Sequence, residues 1–404
     1  MGFQHGLSGL GASSRNLDVI GHNIANANTV GAKASRAEFA DVFASARGSG
    51  SGFSGLGVQV AQVTQQFSQG DLTQSSNPLD MAVNGAGFFR VQNETGEVSY
   101  TRNGQFKLDN QGFIVSGKGH RLTGYPVDLN GEVQPAAAQP IRISSADIEP
   151  RQTENLRAVM NLDTRDAVPA VPFDIQDTES YNSATSLDVF DQQGRDTSLA
   201  MFFRKTADNQ WDVYAAADGV AIGAAPVGQL TFGADGRLDA VASPQPMAIT
   251  VPTAAGVNIA LEADLGQVVQ FGSAFGVNEL EQDGFTTGRL SGFNIEADGR
   301  VQARYTNGES RSQGQIALTD FANPQGLVSV GGNAWIESSQ SGTPVVGAPG
   351  TGALGAIQSG TLEQSNVDLT GELVSMIIAQ RSYQANAQTV KAQDQILQTI
   401  VNLR

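Results

Sequence analysis

The chain has 404 residues, 40% hydrophobic and only 16% charged, with a formal net charge of −16 and no cysteine. Phosphate backbones repel so acidic a chain, which argues against nucleic-acid partners. Without cysteine there is no disulfide, thiolate nucleophile or cysteine-held metal.

A surface poor in ions and rich in small polar groups can be buried against further copies of itself at low desolvation cost. A secreted β-rich protein with many turns has the same composition. At about 150 residues per domain the length suggests two or three domains. No stretch reaches the ~18 apolar residues that span a bilayer. Residues 1–15 lack the basic start and apolar run of a cleavable signal peptide, so export would need another route.

The first predicted element is a helix. Leu7, Leu10, Leu17 and Ile24 stand three and seven residues apart, a heptad-like stripe. Asn26, Asn28 and Gly31 favour a stop within Ala25-Asn26-Ala27-Asn28-Thr29. Residues 48–55 are Gly/Ser-rich and read as a linker. The period then becomes two. Val58, Val60 and Val63 begin a series of strand-like runs near residues 113–115, 186–190, 198–203, 211–214, 301–305 and 316–318. Asn84-Gly85, Asn103-Gly104, Asn130-Gly131, Asp235-Gly236, Asp298-Gly299 and Asn307-Gly308 supply the positive φ of tight hairpins. The middle is therefore antiparallel β, in sandwiches or barrels. Residues 135–140, rich in Ala and Pro, mark a passage between β domains; residues 271–283 mark the return, and residues 343–355 a second linker.

The last element is a long helix. Val374, Ile378, Arg381, Ala385, Gln388, Ala392, Ile396, Thr399 and Leu403 follow a mostly four-three spacing, with no proline after Asp368. Asp368 can cap it, Glu372 suits its first turn, and it would be roughly 50 Å long. Neither stripe is broad, so each helix is marginal alone. The helices are expected to stabilise each other and bury their remaining faces in neighbours; a helical hairpin inside one domain fits the same pattern.

The expected fold class is multidomain α+β, with long coiled-coil-like terminal helices and two mainly antiparallel β domains, the outer inserted into the inner. The helical core takes residues 1–32 and 364–404, with connecting segments 33–70 and 350–363. The inner β domain takes 71–144 and 285–349, and the inserted outer one 145–284.

Residues fit for chemistry are scattered. His5, His22 and His120 have no ligand-spaced companions. Gly85-Ala86-Gly87 opens like a dinucleotide loop but runs into Phe88-Phe89-Arg90 where a third glycine is needed, and Gly117-Lys118-Gly119 lacks phosphate-loop spacing. Asp174 and Asp177 stand in loop-like sequence, and Asn93-Glu94-Thr95 is a bare acceptor triplet. No catalytic, cofactor or metal residue is assigned, and no small-molecule substrate is expected.

Asn23-Ile24-Ala25-Asn26-Ala27-Asn28-Thr29-Val30-Gly31, with Lys33, Arg36 and Phe39, resembles the amino-terminal segment of the flagellar rod and hook axial family, although Ala32 stands where the family usually has an aromatic. Gly70-Asp71-Leu72, the run from Asn77-Pro78-Leu79-Asp80 to Phe88-Phe89, and Tyr100-Thr101-Arg102-Asn103-Gly104 are similar to its next blocks. Gly360-Thr361-Leu362-Glu363-Gln364-Ser365-Asn366 and Ala379-Gln380-Arg381-Ser382-Tyr383 are similar to its carboxy-terminal block. Ser180-Tyr181-Asn182-Ser183, Phe202-Phe203-Arg204-Lys205 with Trp211, Gly284-Phe285-Thr286-Thr287-Gly288 and Phe321-Ala322-Asn323-Pro324 resemble stretches particular to its hook members.

The resemblance implies a subunit of the bacterial flagellar hook. It would polymerise into a flexible curved tube that passes torque from rod to filament and encloses the export channel. A distal rod or hook–filament junction component is the alternative within the family. Implied partners are further copies of itself, the distal rod protein, the hook cap protein, hook–filament junction proteins and the flagellar type III export apparatus. Leu7, Leu10, Leu17, Ile24, Asn26, Asn28, Val374, Ile378, Arg381, Ala385, Ile396 and Leu403 are the expected assembly interface. The place is the extracellular hook, reached without a cleaved signal peptide.

Overall fold

The computed structural model describes residues 2–43, 55–128, 131–134, 136–253 and 256–402. The linker at 48–54, Asn130, Pro135 and Leu403 lie outside the described residues. The chain divides into two compact units. Unit 1 comprises residues 1–144, 292–303 and 310–404; unit 2 comprises 145–291 and 304–309.

Unit 1 carries both terminal helices, α1 (Gly2–Ala25) and α2 (Leu369–Asn402). Asp368 caps α2 as its sequence suggests: its Oδ1 accepts from Thr370 N–H (3.0 Å) and its carbonyl from Glu372 N–H (2.9 Å). After α1 the chain forms an antiparallel ribbon, Ser35–Phe43 against Gly55–Gln65, so the flanks of the expected linker are paired strands. The β body contains a sheet whose order from Ser310–Ile316 runs through Arg121–Tyr125, Phe88–Gln92, Val98–Thr101 and Ala334–Ile336 to Val328–Ser329. Phe88, Tyr100, Phe321 and Trp335 fill its core with edge-to-face rings, joined by Phe67. Two short ladders bring the carboxy-terminal return beside the early strands, Ala356–Ser359 on Met81–Asn84 and Thr361–Glu363 on Leu72–Gln74.

Unit 2 is a sandwich of two five-stranded sheets. Alternate side chains from both, among them Leu156, Met160, Phe203, Trp211, Ile249 and Leu261, make one dry core. The strands are mainly antiparallel, with one departure: Asn155–Asp163 runs parallel to Ile259–Asp264 and to Val269–Phe271.

The suggested passages turn out to be strands. Gln139–Pro140 lies along Arg121–Tyr125, and Gly276–Gln282 lies along Asn155–Asp163. Residues 343–355 include the strand Val345–Gly347. Two turn dipeptides are also not hairpins. Asn84-Gly85 follows a strand paired with Ala356–Ser359, and Gly104 has no positive φ. Gly104 is required because a Cβ there would lie 1.5 Å from the Met81 carbonyl oxygen. Asp235-Gly236, Asp298-Gly299 and Asn307-Gly308 do turn hairpins, but only the glycine takes positive φ, so these are three-residue loops.

Candidate assembly interface

The helices of unit 1 pack antiparallel, with small residues of α1 set against larger side chains of α2. A Cβ on Gly6 would lie 2.8 Å from Val390 Cγ2, and one on Gly9 would meet the Asn386 side chain at 2.8 Å. Asn386 Nδ2 also reaches Ser13 Oγ (3.4 Å). At the other end Asn23 is a buried polar knot. Its Nδ2 donates to Glu372 Oε1 (2.9 Å) and Ser35 O (2.8 Å), and its Oδ1 accepts from Ser35 N–H (2.8 Å). On α2 the residues turned inward include Glu372, Met376, Ala379, Asn386 and Val390.

This contact face is not the apolar stripe. Val374, Ile378, Arg381, Ala385 and Ile396 are exposed, Ile378 at 60% and Ile396 at 54%. They stand on the side of α2 away from α1, beside Leu373 and Ile377, which are also exposed. On α1 the stripe drifts, because a straight helix slips about 20° per heptad. Leu10, Leu17 and Ile24 are half-buried on the flank of the contact, while Leu7, three residues and so about 60° round the helix from Leu10, is 57% exposed. Asn26 caps the end of α1, its N–H (3.1 Å) and Nδ2 (2.9 Å) both donating to the His22 carbonyl, and Asn28 is exposed. The structure thus brings the two helices together without bringing the two stripes together. Spacing locates the large apolar residues, whereas close helix approach is set by the small ones at the contact.

Replacing Gly6 with Leu is expected to overpack the contact at a cost of about 1–3 kcal/mol. Gly11→Leu, where a Cβ meets nothing within 4 Å, is expected to be harmless. Amide exchange in α2 should speed up in the first variant alone; equal behaviour would show that this face does not hold the pair.

Below the helices lies a feature that motif reading does not assign. Glu363 is fully buried between two cations, with Lys33 Nζ 2.6 Å from Oε1 and Arg102 Nη1 3.3 Å from Oε2. Gly70 N–H donates to the same carboxylate (3.0 Å), Lys33 Nζ to Ser68 O (2.7 Å), and Arg102 Nη2 to Gly85 O (2.9 Å). Burial pushes both Lys33 and Arg102 below their ordinary pKa values, and Glu363 partly offsets it. Nearby, Asn366 accepts from Ala34 N–H and donates to Gln66 O and Ser68 Oγ, each at 2.8 Å. Gly31, at φ +69°, donates to the Glu363 carbonyl; a Cβ there would strike Asn103 N at 2.5 Å. The segments after α1 and before α2 are thereby clasped to the β body. Their sequence signal was a charge isolated among uncharged residues, visible only once the fold gave it partners.

Among the described residues no group of His, Asp and Glu could hold a metal ion. His22 lies by Asn26, and His120 by Ser99.

Four family descriptions match the chain. Residues 3–33 match the flagella basal body rod protein, 82–149 the flagellar hook protein FlgE/F/G D1 domain, 161–285 the flagellar basal body protein FlaE D2 domain, and 358–403 the flagellar basal body rod FlgEFG protein C-terminal. The chain is 40% identical over 410 residues to the flagellar hook protein FlgE of Salmonella typhimurium and 42% identical over 414 residues to that of Escherichia coli, covering 100% of each chain in both cases. Against the flagellar hook protein FlgE of Treponema pallidum it is 31% identical, over 99% of this chain and 98% of the other. A crystal structure of a Helicobacter pylori flagellar hook protein superposes with a TM-score of 0.55 at 14% identity, over 71% of this chain and 99% of that one, a likeness of fold.

Proposed function

This chain belongs to the flagellar hook protein family, and we propose that it is the subunit that polymerises into the curved hook, the joint that passes torque from rod to filament around an export channel. The observation that carries this reading is the split of each terminal helix. One face of each is used within the chain, while Leu7, Val374, Ile378 and Ile396 are left bare to water. Exposed apolar side chains in rows mark a surface that a partner covers, and in a polymer-forming family further copies are that partner. Their burial among neighbours, with Arg381, Ala385 and the flanking Leu10, Leu17 and Ile24, would hold the tube together.

A tube that bends while it spins must change its neighbour distances once per turn. Interfaces that slide need to be polar and wet, whereas packed apolar ones resist gradual deformation. Unit 2, charged and without a helix among its described residues, suits the sliding role; the helices suit the holding role. The expected companions are the distal rod protein, the hook cap protein, the junction proteins and the flagellar type III export apparatus. The role is mechanical, and we assign no catalysis to it.

Expression in cells lacking their own hook subunit tests the reading. Curved hooks in electron micrographs, swimming, and an uncut subunit mass from purified hooks are expected. Rods that end without hooks would overturn it.

A further inference from the structure

The chain's charge is unevenly placed. Unit 2 holds 22 acidic and 9 basic residues, a net of −13 out of −16, which leaves −3 for unit 1. Copies meeting through unit 2 would set like charges within the Debye length of about 8 Å at physiological salt, which suits a loose, sliding contact there and not a firm one. From Phe321 to Leu362, in contrast, Glu337 is the only charged residue, and Tyr100 Oη donates to it (3.1 Å).

Two edge strands of the unit 1 β body lie in this uncharged stretch. Among the described residues Val328–Ser329 pairs only with Ala334–Ile336, and Val345–Gly347 only with Leu318–Asp320. Val328 is 50% exposed and Val345 62%, with Val330 and Val346 exposed beside them. Soluble proteins usually blunt such edges with charge. Here the edge strands themselves carry none, the nearest charges being Lys118, which donates to the Gly331 carbonyl, and Asp320, paired with Val345. Pro344 and Pro349 bracket the second strand, which limits main-chain pairing and leaves the side chains as the means of contact.

The two patches are different, and they lie on different edges of one body. A contact between one copy's first patch and the next copy's second patch is heterologous, the kind that builds rings or helices rather than closed dimers. We propose that the Val328 and Val330 edge of one copy packs against the Val345 and Val346 edge of the next, a lateral contact between β bodies in the assembled tube. This rests on the reading of the chain as a self-assembling subunit.

The absence of cysteine gives a clean test. Hooks are purified from cells making a chain with both Val330→Cys and Val345→Cys and treated with a short bis-maleimide. A ladder of dimers, trimers and higher species on a denaturing gel is expected. Each single variant should stay monomeric, and mixed hooks from cells making both single variants should yield dimers and nothing larger. Hooks that form but give no ladder overturn the contact while leaving the hook reading intact, and so do single variants that cross-link to themselves. A wild-type chain that builds no hooks removes the hook reading itself.

Discussion

Ile378→Asp is expected to leave the lone chain folded and to abolish the tube. In the isolated subunit Ile378 is 60% exposed, so the change removes little buried area, and a surface substitution of this sort stays within about ±0.5 kcal/mol. In the polymer the same position would be covered by a neighbouring copy. Burying an isoleucine there contributes about 1.5–3 kcal/mol, and an unpaired carboxylate in its place adds a desolvation cost of several kcal/mol per ion. Each 1.4 kcal/mol is tenfold in affinity, so assembly would fall by several orders of magnitude at every contact in the series. Circular dichroism melting should match the wild type while sedimentation and electron microscopy show only monomer. Ile378→Leu should assemble, because it keeps the apolar area. Hooks of normal length from the Asp variant would show that this face of α2 is not an assembly surface. Leu10→Asp is a less clean test than the sequence alone suggests, because Leu10 is half-buried against its own chain.

Local signals carried far in this protein. The stop of α1 at the start of residues 25–29, the Asp368 cap and the strand-like run from Ser186 to Phe190 were all legible, because each depends on residues within one or two turns of chain. What was not legible depends on distant partners. The parallel placement of Asn155–Asp163 beside Ile259–Asp264 has no local signature. Nor does the strand Gly276–Gln282, whose Gly, Asn, Glu and Gln content resembles a loop until Asn155–Asp163 supplies its ladder. Gly104 reads as a turn residue beside Asn103, yet its reason is the Met81 carbonyl more than 20 residues earlier. The candidate interface shows the same division. Periodicity found the bare residues Val374 and Ile378, but the face joining α1 to α2 is written in Gly6, Gly9 and Ser13, which no hydrophobic pattern detects.

The buried clasp around Glu363 gives the second large expected effect. Glu363→Gln keeps the shape of the side chain but removes the carboxylate that both Lys33 and Arg102 contact, leaving Arg102 the weaker pull of Asp320 and Lys33 without its ion-pair partner. Breaking a buried ion cluster from one side costs about 3–5 kcal/mol. The loss should be confined to unit 1, and the two tryptophans separate the units: Trp335 is buried in unit 1 and Trp211 in unit 2. In urea, followed with Trp211→Phe and Trp335→Phe backgrounds, the Trp335 transition should move to lower denaturant while the Trp211 transition stays in place. The pH dependence identifies the cause. Lys33 is held below its ordinary value by burial, so the folded chain binds this proton less tightly than the unfolded one. Stability therefore rises with pH as it approaches the unfolded lysine value of about 10.4. Without Glu363 the offsetting attraction is gone, so that rise should begin at lower pH, and the variant should recover part of its deficit between neutral pH and about 10. A deficit that does not change with pH would mean that Glu363 acts through packing alone; a Trp335 transition that does not move would mean that the clasp does not hold unit 1 together.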